Sequence, residues 1–443
     1  MGNDKGREIE KPLSQRSELV GPVINEEVLE QGRLDSRFAL RCDVNVLLRK
    51  PKKVLLIEPA YRAKYPPLGL MKISTFHKQH GDEVIFYKGT NARLRDQKWD
   101  VIYITTLFTY QWNIVTRTVK FYQQNKANKN IKIGGVLASL LDDEVRKETG
   151  IKPHVGLYKK VDRLAPDYGL FDGKYEYFTG NASIGYMTRG CTNHCPFCAV
   201  PRLEPGYVHF IPLEKQVNPN KRDLLLLDNN VLASSEFPRI VEEIKRYGFH
   251  KGAKFEGRLR YVDFNQGIDA RLLTEEKMRL LSKIAIKPLR IAFDNIKFKS
   301  LYIDKIRLAR KYGIKQLSNY ILFNYDDTPE DLYERLRINI KLNEELGLSI
   351  FSFPMRFIPL NAKDRRYVNT PNWTATQLRG VQCILHATHG VVGPKRTFFE
   401  KAFGKDAEEF KYVIEQPEEH IFYREKMMLY KRWNEYALDS VLS

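Results

Sequence analysis

Cysteine is scarce in this chain: five residues in 443. That is too few for a disulfide framework, and it points to a reducing compartment, the cytosol. No apolar run approaches the roughly 18 residues a membrane-spanning helix needs. The start, MGNDKGREIEKPLSQR, has no apolar signal core, so the expectation is a cytoplasmic protein with no membrane partner. Acids are outnumbered, 54 against 73 lysines and arginines, for a formal net charge of +19. Such a surface attracts polyanions, nucleic acid foremost, although a basic protein with no such partner has the same balance. A long Gly/Ser linker and internal repeats are also missing. Apolar and aromatic residues are plentiful: 43% hydrophobic, with 24 Tyr and 24 Phe. That is enough for a sizeable core and excludes global disorder.

At roughly 150 residues per domain the length suits about three domains. Residues 1–50 are polar and read as an extension, with a short helix expected near 26–31. Between 51 and 165 strands and helices alternate. Lys53-Val54-Leu55-Leu56-Ile57-Glu58-Pro59 is a continuous apolar run ended by turn residues, the pattern of a buried parallel strand. Further strands are expected at 83–87, 101–105 and 131–135, with helices at 69–80 and 111–125. This predicts an open doubly wound, Rossmann-like α/β domain, whose ligands sit beyond the carboxyl ends of its strands. Here those are the loops 58–68, 105–112 and 134–139.

Residues 180–360 alternate again. Strands are expected at 183–187, 224–228, 261–266, 289–293, 316–323 and 349–356, and helices at 237–247, 274–284 and 329–346. Six β/α repeats predict a parallel partial (β/α)6 barrel with functional residues at the C-terminal strand ends. Residues 371–443 read as a helical C-terminal extension, broken at 390–394.

Three of the five cysteines fall in Arg189-Gly190-Cys191-Thr192-Asn193-His194-Cys195-Pro196-Phe197-Cys198, spaced C-x3-C-x2-C just after the first barrel strand. Thiolates so placed can converge on a soft metal centre. Zinc would want a fourth ligand, for which His194 is the candidate inside the loop; inert buried thiols are the plainest alternative. A 4Fe-4S cluster with one iron left open suits three cysteines best. With Phe197 before the last cysteine and a β/α barrel behind it, the segment resembles the radical S-adenosylmethionine (SAM) enzymes.

That resemblance implies that Cys191, Cys195 and Cys198 hold three irons while the fourth binds the methionine part of SAM. It also implies an electron donor such as flavodoxin or ferredoxin, and cleavage of SAM to methionine and a 5′-deoxyadenosyl radical. Phe197, Asn229, Gln266, Arg271, Asp294 and Asn319 then fall where related members contact SAM. For Asn229, Gln266, Asp294 and Asn319, a helix cap or turn is the equal alternative. Arg271 can instead pair with Glu275 one helical turn on. Asp327-Thr328-Pro329-Glu330 reads as a helix start, where the family usually has a glycine-rich turn.

Tyr65-Pro66-Pro67-Leu68-Gly69-Leu70, the run 105–111 and Ile133-Gly134-Gly135-Val136 resemble the cobalamin-binding-like domain that precedes many radical SAM barrels. The segment 164–168 resembles the connector. Cobalamin is then a second cofactor, or the domain has lost the corrin and shapes the substrate entrance. The Asp-x-His-x-x-Gly cobalt-ligand motif is absent, as it is in many relatives that still bind the cofactor. Gly134 and Gly135 either let a corrin approach the backbone or make a tight turn.

Cys383 reads as a small buried side chain on a helix, with a methyl-carrier or radical-relay role as the alternative; Cys42 carries no further signal. His386 and His389 share a helical face at a spacing that permits metal binding. The leading function is radical SAM chemistry, first of all methyl transfer to an unactivated carbon, on a peptide, metabolite or RNA. Gly190–Cys198 followed by Ala199-Val200-Pro201-Arg202 also resembles the tRNA methylthiotransferases. Those enzymes carry three further N-terminal cysteines, whereas this chain has only Cys42 there. The non-enzyme alternative is a basic nucleic-acid-binding protein with a structural metal.

Overall fold

The computed structural model describes residues 49–423 apart from 172, 174, 176, 178–179 and 368–369. The helix expected near 26–31, Cys42 and residues 424–443 lie outside the described residues. By its contacts the chain divides after Pro51, and the fold below is that of the second unit.

The apolar run at its start forms β1 (Lys53–Glu58), whose Val54, Leu55, Leu56 and Ile57 are fully buried. With β2 (Glu83–Lys88), β3 (Val101–Thr106) and β4 (Ile131–Gly135) it makes a four-stranded parallel sheet of order β2-β1-β3-β4. Alternation along β1 sends Leu55 and Ile57 into one core and Val54 and Leu56 into another, because the sheet is covered on both faces. The order reverses between β1 and β3, so the crevice of this doubly wound fold opens where those strands end. The helices Leu68–Gln79 and Trp112–Gln123 leave from those ends.

The second region has β5 (Ala182–Gly185), β6 (Asp223–Leu226), a hairpin β7 (Lys254–Phe255) and β8 (Arg258–Leu259), β9 (Val262–Phe264), β10 (Leu289–Arg290), β11 (Gln316–Phe323) and β12 (Ser349–Arg356). Its arc consists of two three-stranded parallel sheets, β5-β6-β9 and β10-β11-β12. Among the described residues, isolated parallel bridges, Val262 with Ile286 and Ile268 with Ile291, join the two. Pro288, just before β10, has no N–H to give to a ladder.

The first barrel strands also end sooner than expected. Beyond Gly185 the amides of Tyr186 and Met187 go to the side chains of Gln216 (2.8 Å) and Asp228 (3.0 Å) rather than to a strand. The helix Pro329–Leu346 starts where its sequence says, with Thr328 as N-cap, Asp331 closing the capping box and Pro329 in the first turn.

Helices Ala375–Ala387, Arg396–Phe403 and Ala407–Glu415 pack with Pro329–Leu346 and β11 in one core. No helix among the described residues is long and apolar enough to cross a membrane.

Candidate functional site

The cysteine loop leaves β5 and is held from behind by carboxylates that come from elsewhere in the chain. Asp228, at the end of β6, is fully buried and accepts from Met187 N and from both the amide and hydroxyl of Thr188. Burial pushes its carboxyl up to about 6, against the hydrogen bonds from Thr188 and Met187. Glu204 takes Gly190 N at 2.6 Å, Arg189 Nη1 at 3.1 Å and Asn229 Nδ2 at 3.3 Å. Arg189 is also ion-paired with Asp162 and lies over the Tyr186 ring at 3.4 Å. Gly190 sits at φ 76, where a Cβ would come 1.9 Å from Gly206 O; only glycine fits.

Cys191, Cys195 and Cys198 are free and half-buried. Cys191 Sγ accepts from Asn193 N at 3.4 Å and from Asn230 Nδ2 at 3.5 Å. Burial pushes the Cys195 and Cys198 thiols up. Arg271 pulls the first back and the Val200 N–H the second, and the thiols act on one another electrostatically. Among the described residues no group of three or more His, Cys, Asp or Glu side chains is gathered closely enough for a metal ion. A cubane's irons occupy separate corners, so its thiolates do not need the close shell of a single ion. His194, the proposed fourth zinc ligand, is exposed.

Arg271 and Asp294 lie beside the thiols. Asn193 Nδ2 reaches Asp269 at 2.9 Å, and Asp269 holds Arg271 at 2.7 and 2.8 Å. The expected pairing of Arg271 with Glu275 does not form: Glu275 belongs to Lys311 at 2.6 Å. Asp294 adds its charge to Cys195 and Cys198, and burial raises its own pKa. The backbone at this point is fixed by fully buried Arg335, which donates to Phe293 O, Asp294 O and Leu322 O and pairs with Asp327. Phe197 meets Tyr325 edge-on at 5.2 Å, and Tyr325 meets Phe357 at 4.9 Å.

Three expected contacts are placed differently. Asn229 is spent on Glu204, and its neighbour Asn230 faces Cys191, its Oδ1 buried with no hydrogen-bond partner. Gln266 is exposed at the rim, its amide near Asn265 Oδ1 only at 3.5 Å. Asn319 points to the outer helices: its Nδ2 donates to Tyr302 Oη at 3.0 Å, which donates to Asn339 at 2.9 Å. The next residue, Tyr320, faces inward and bonds Asn265 O at 2.9 Å. Alternation along β11 decides this.

Cys383 is buried, with Glu418 and Arg379 as its charged neighbours. His386 and His389 do not share a helical face, since the helix ends at Ala387 and His389 has φ 52. Sequence reading missed Glu204, Asp269 and Arg335. Arg335 alone left a signal, a charged residue on the core face of a helix.

The Rossmann-like sheet presents its strand ends to this loop. The short helix Val200–Leu203, directly after Cys198, packs Leu203 with Ala199 onto that sheet's core, and Arg202 donates to Leu140 O at 3.3 Å. Tyr65 Oη accepts from Asn265 Nδ2 at 2.9 Å, and Lys363 and Arg365 lie over Trp112 and Tyr110 at 4.3 and 4.6 Å. At the end of β3, Phe108 is 46% exposed and stacks on Tyr110 at 5.1 Å. Gly135 has a packing cause of its own: at φ 113, a Cβ would lie 2.1 Å from Thr106 O.

The fold matches that of a cobalamin-binding-like domain followed by a radical SAM domain. The chain is similar in fold to the solved structure of a radical S-adenosylmethionine methyltransferase, TsrM from Kitasatospora setae, with cobalamin and a 4Fe-4S cluster bound. The TM-score is 0.50 and the identity 14%, over 75% of this chain and 78% of that one. A second TsrM structure, with tryptophan substrate and a SAM analogue, aligns at TM-score 0.49 and 15% identity over 66% of this chain and 71% of that chain. No protein-family model matches the chain, and no curated protein matches it.

Proposed function

We propose that this protein is a radical SAM enzyme that transfers a methyl group, with cobalamin, to an unactivated carbon of its substrate. One observation carries the reading: the loop with three thiols runs from the end of β5 to Ala199 and Leu203, which pack on the core of the Rossmann-like domain, and this supports a site shared by the two regions. The fold neighbour, whose structure holds cobalamin and a 4Fe-4S cluster, supports pairing the two cofactors.

The residues present fit both groups. Soft thiols with N–H donors aimed at sulfur suit an iron–sulfur cluster. The unpartnered Oδ1 of Asn230 is an acceptor that a bound donor would satisfy. For a broad corrin, the half-exposed ring of Phe108, stacked on Tyr110, offers a flat apolar surface. When bound, the cluster supplies the electron that cleaves SAM, and cobalamin a carrier for the methyl group.

The chain's own part is to hold and orient. Cys191, Cys195 and Cys198 hold the irons, and Glu204 and Asp228 fix the loop that carries them. Arg271, oriented by Asp269, offers its guanidinium to the SAM carboxylate. Phe197 with Tyr325 forms an aromatic wall beside the thiols. The electron comes from a donor such as flavodoxin or ferredoxin in the cytoplasm. The test is anaerobic reconstitution and mass spectrometry of SAM products with and without cobalamin. 5′-Deoxyadenosine together with S-adenosylhomocysteine is the expected outcome in the complete mixture. Absence of both with a fully loaded cluster would reject the reading.

A further inference from the structure

The parallel strands of the barrel have two ends, and the thiol site occupies one. The other collects cations. The chain approaches β9 through Lys251, Lys254 and Arg258, β10 through Lys283 and β11 through Lys315, and all five side chains are exposed. Lys251 N donates to Lys283 O at 2.9 Å, and a bridge joins His250 to Ile284. The Lys251 ammonium lies at the turn of Gly313, where a Cβ would be 3.9 Å from Nζ, two residues before Lys315. The basic stretch 251–260 thus meets the far end of the stretch 305–315, at Gly313.

The hairpin β7–β8 is an insertion outside the barrel sheets. It pairs Lys254 with Leu259 and Phe255 with Arg258 around Glu256 and Gly257, both in the left-handed region at φ 48 and 78, a tight two-residue turn. Its base is pinned by Arg260, which donates to Arg222 O at 2.8 Å and lies over Phe249 at 3.7 Å. The hairpin is therefore a fixed platform for Lys254 and Arg258. Among the described residues none of the five cations closes a salt bridge. Glu256 sits at the hairpin tip, Glu242 feels Lys283, and Glu275 is taken by Lys311 and Tyr312 beside the Gly313 turn.

The chemistry of this face favours phosphates over a protein partner. Protein interfaces have an apolar centre and few lysines, whereas this face is rich in lysine, with Leu259 as its exposed large apolar side chain. A phosphodiester backbone is held by lysine and arginine without an apolar centre.

We infer that the N-terminal end of the barrel strands, with the hairpin β7–β8 at its middle, is a docking face for the phosphate backbone of a nucleic acid. It uses no residue of the thiol site, so it stands or falls separately from the radical chemistry.

The test is anisotropy of a labelled RNA hairpin with the full chain over a salt series. The triple variant K251Q/K254Q/R258Q should bind about tenfold or more weakly, with the slope of log K against log salt reduced by about 2 to 3. The charge-matched variant K126Q/K129Q/K147Q, at exposed positions of the Rossmann-like domain, and Arg258→Lys should retain binding. Thermal melting of each variant separates lost contact from lost fold. Equal loss in both triple variants, or no binding by the unsubstituted chain, would overturn the inference. So would tighter binding to vesicles of anionic lipid that the first triple variant abolishes, which would make the face a membrane-surface contact.

Discussion

Around Cys191 the backbone is held by buried side chains: Asp228 takes Met187 and Thr188, and Glu204 takes Gly190 and Arg189. At the end of β3 in the Rossmann-like domain, Thr106 bonds Gly134 O and Ala138 N, and Phe108 stands open to solvent on Tyr110. The first region spends two carboxylates to fix a loop, Asp228 from just beyond β6 and Glu204 from the end of the helix Val200–Leu203. The second uses a neutral strand hydroxyl, Thr106, to tie β3 to the turn after β4, and leaves a ring surface exposed. A site that must hold several ligand atoms in fixed places needs the first design; a broad, flat ligand can be held by the second.

The sharpest break of this contrast is at the thiols. Cys191→Ala, Cys195→Ala or Cys198→Ala should lower iron and sulfide in the reconstituted protein and bring SAM cleavage to background, read by metal analysis and 5′-deoxyadenosine formation. The fold should persist, as circular dichroism would show. Retained cleavage in the triple variant would end the radical reading.

Next in size is Gly190→Ala. Its Cβ would meet Gly206 O at 1.9 Å in a left-handed conformation, so the loop must move. The expected cost is on the order of 3 kcal/mol, seen in denaturation midpoints together with reduced iron content.

Asp228 sharpens the comparison through pH. Its folded pKa is raised by burial from 3.8 to about 6, so between those values the folded state binds more protons than the unfolded state. Stability should therefore fall as pH rises from about 4 to about 6, by on the order of 2–3 kcal/mol, and then level off. Asp228→Asn keeps an acceptor for Thr188 and should flatten that slope relative to the parent. An unchanged slope would show that another group causes it.

The smallest effect is expected at the open surface. Phe108→Ala should leave melting unchanged, because the ring is half-exposed. It should weaken cobalamin retention by roughly fivefold to tenfold, measured by gel filtration and absorbance. Unaltered retention would remove the aromatic stack from the corrin site.

Much of the fold was legible because its signals are local. A buried parallel strand such as β1 is a continuous apolar run, and Thr328-Pro329 with Asp331 marks a helix start within a few residues. The cysteine spacing was equally plain. The side chains around the thiols were harder. In the loop after β6, Asn229 bonds Glu204 while Asn230 faces Cys191, and sequence position alone does not set which of two neighbouring loop residues turns inward. Asn319 turns to Tyr302 while Tyr320 faces inward, an outcome of the alternation along β11. Glu204, Asp269 and Arg335 carry no motif, and their roles exist only once separate loops meet.

Composition, strand runs, helix caps and the C-x3-C-x2-C spacing were determined by the sequence itself, since each depends on residues within a few positions of one another. Tertiary structure alone decided that Asp228 supports Thr188 across 40 residues, that Arg271 answers to Asp269, and that the basic stretch 251–260 meets the far end of the stretch 305–315 at Gly313. Those contacts depend on strand order and on which face each side chain takes, and both are settled only when the strands pair and bury their apolar sides.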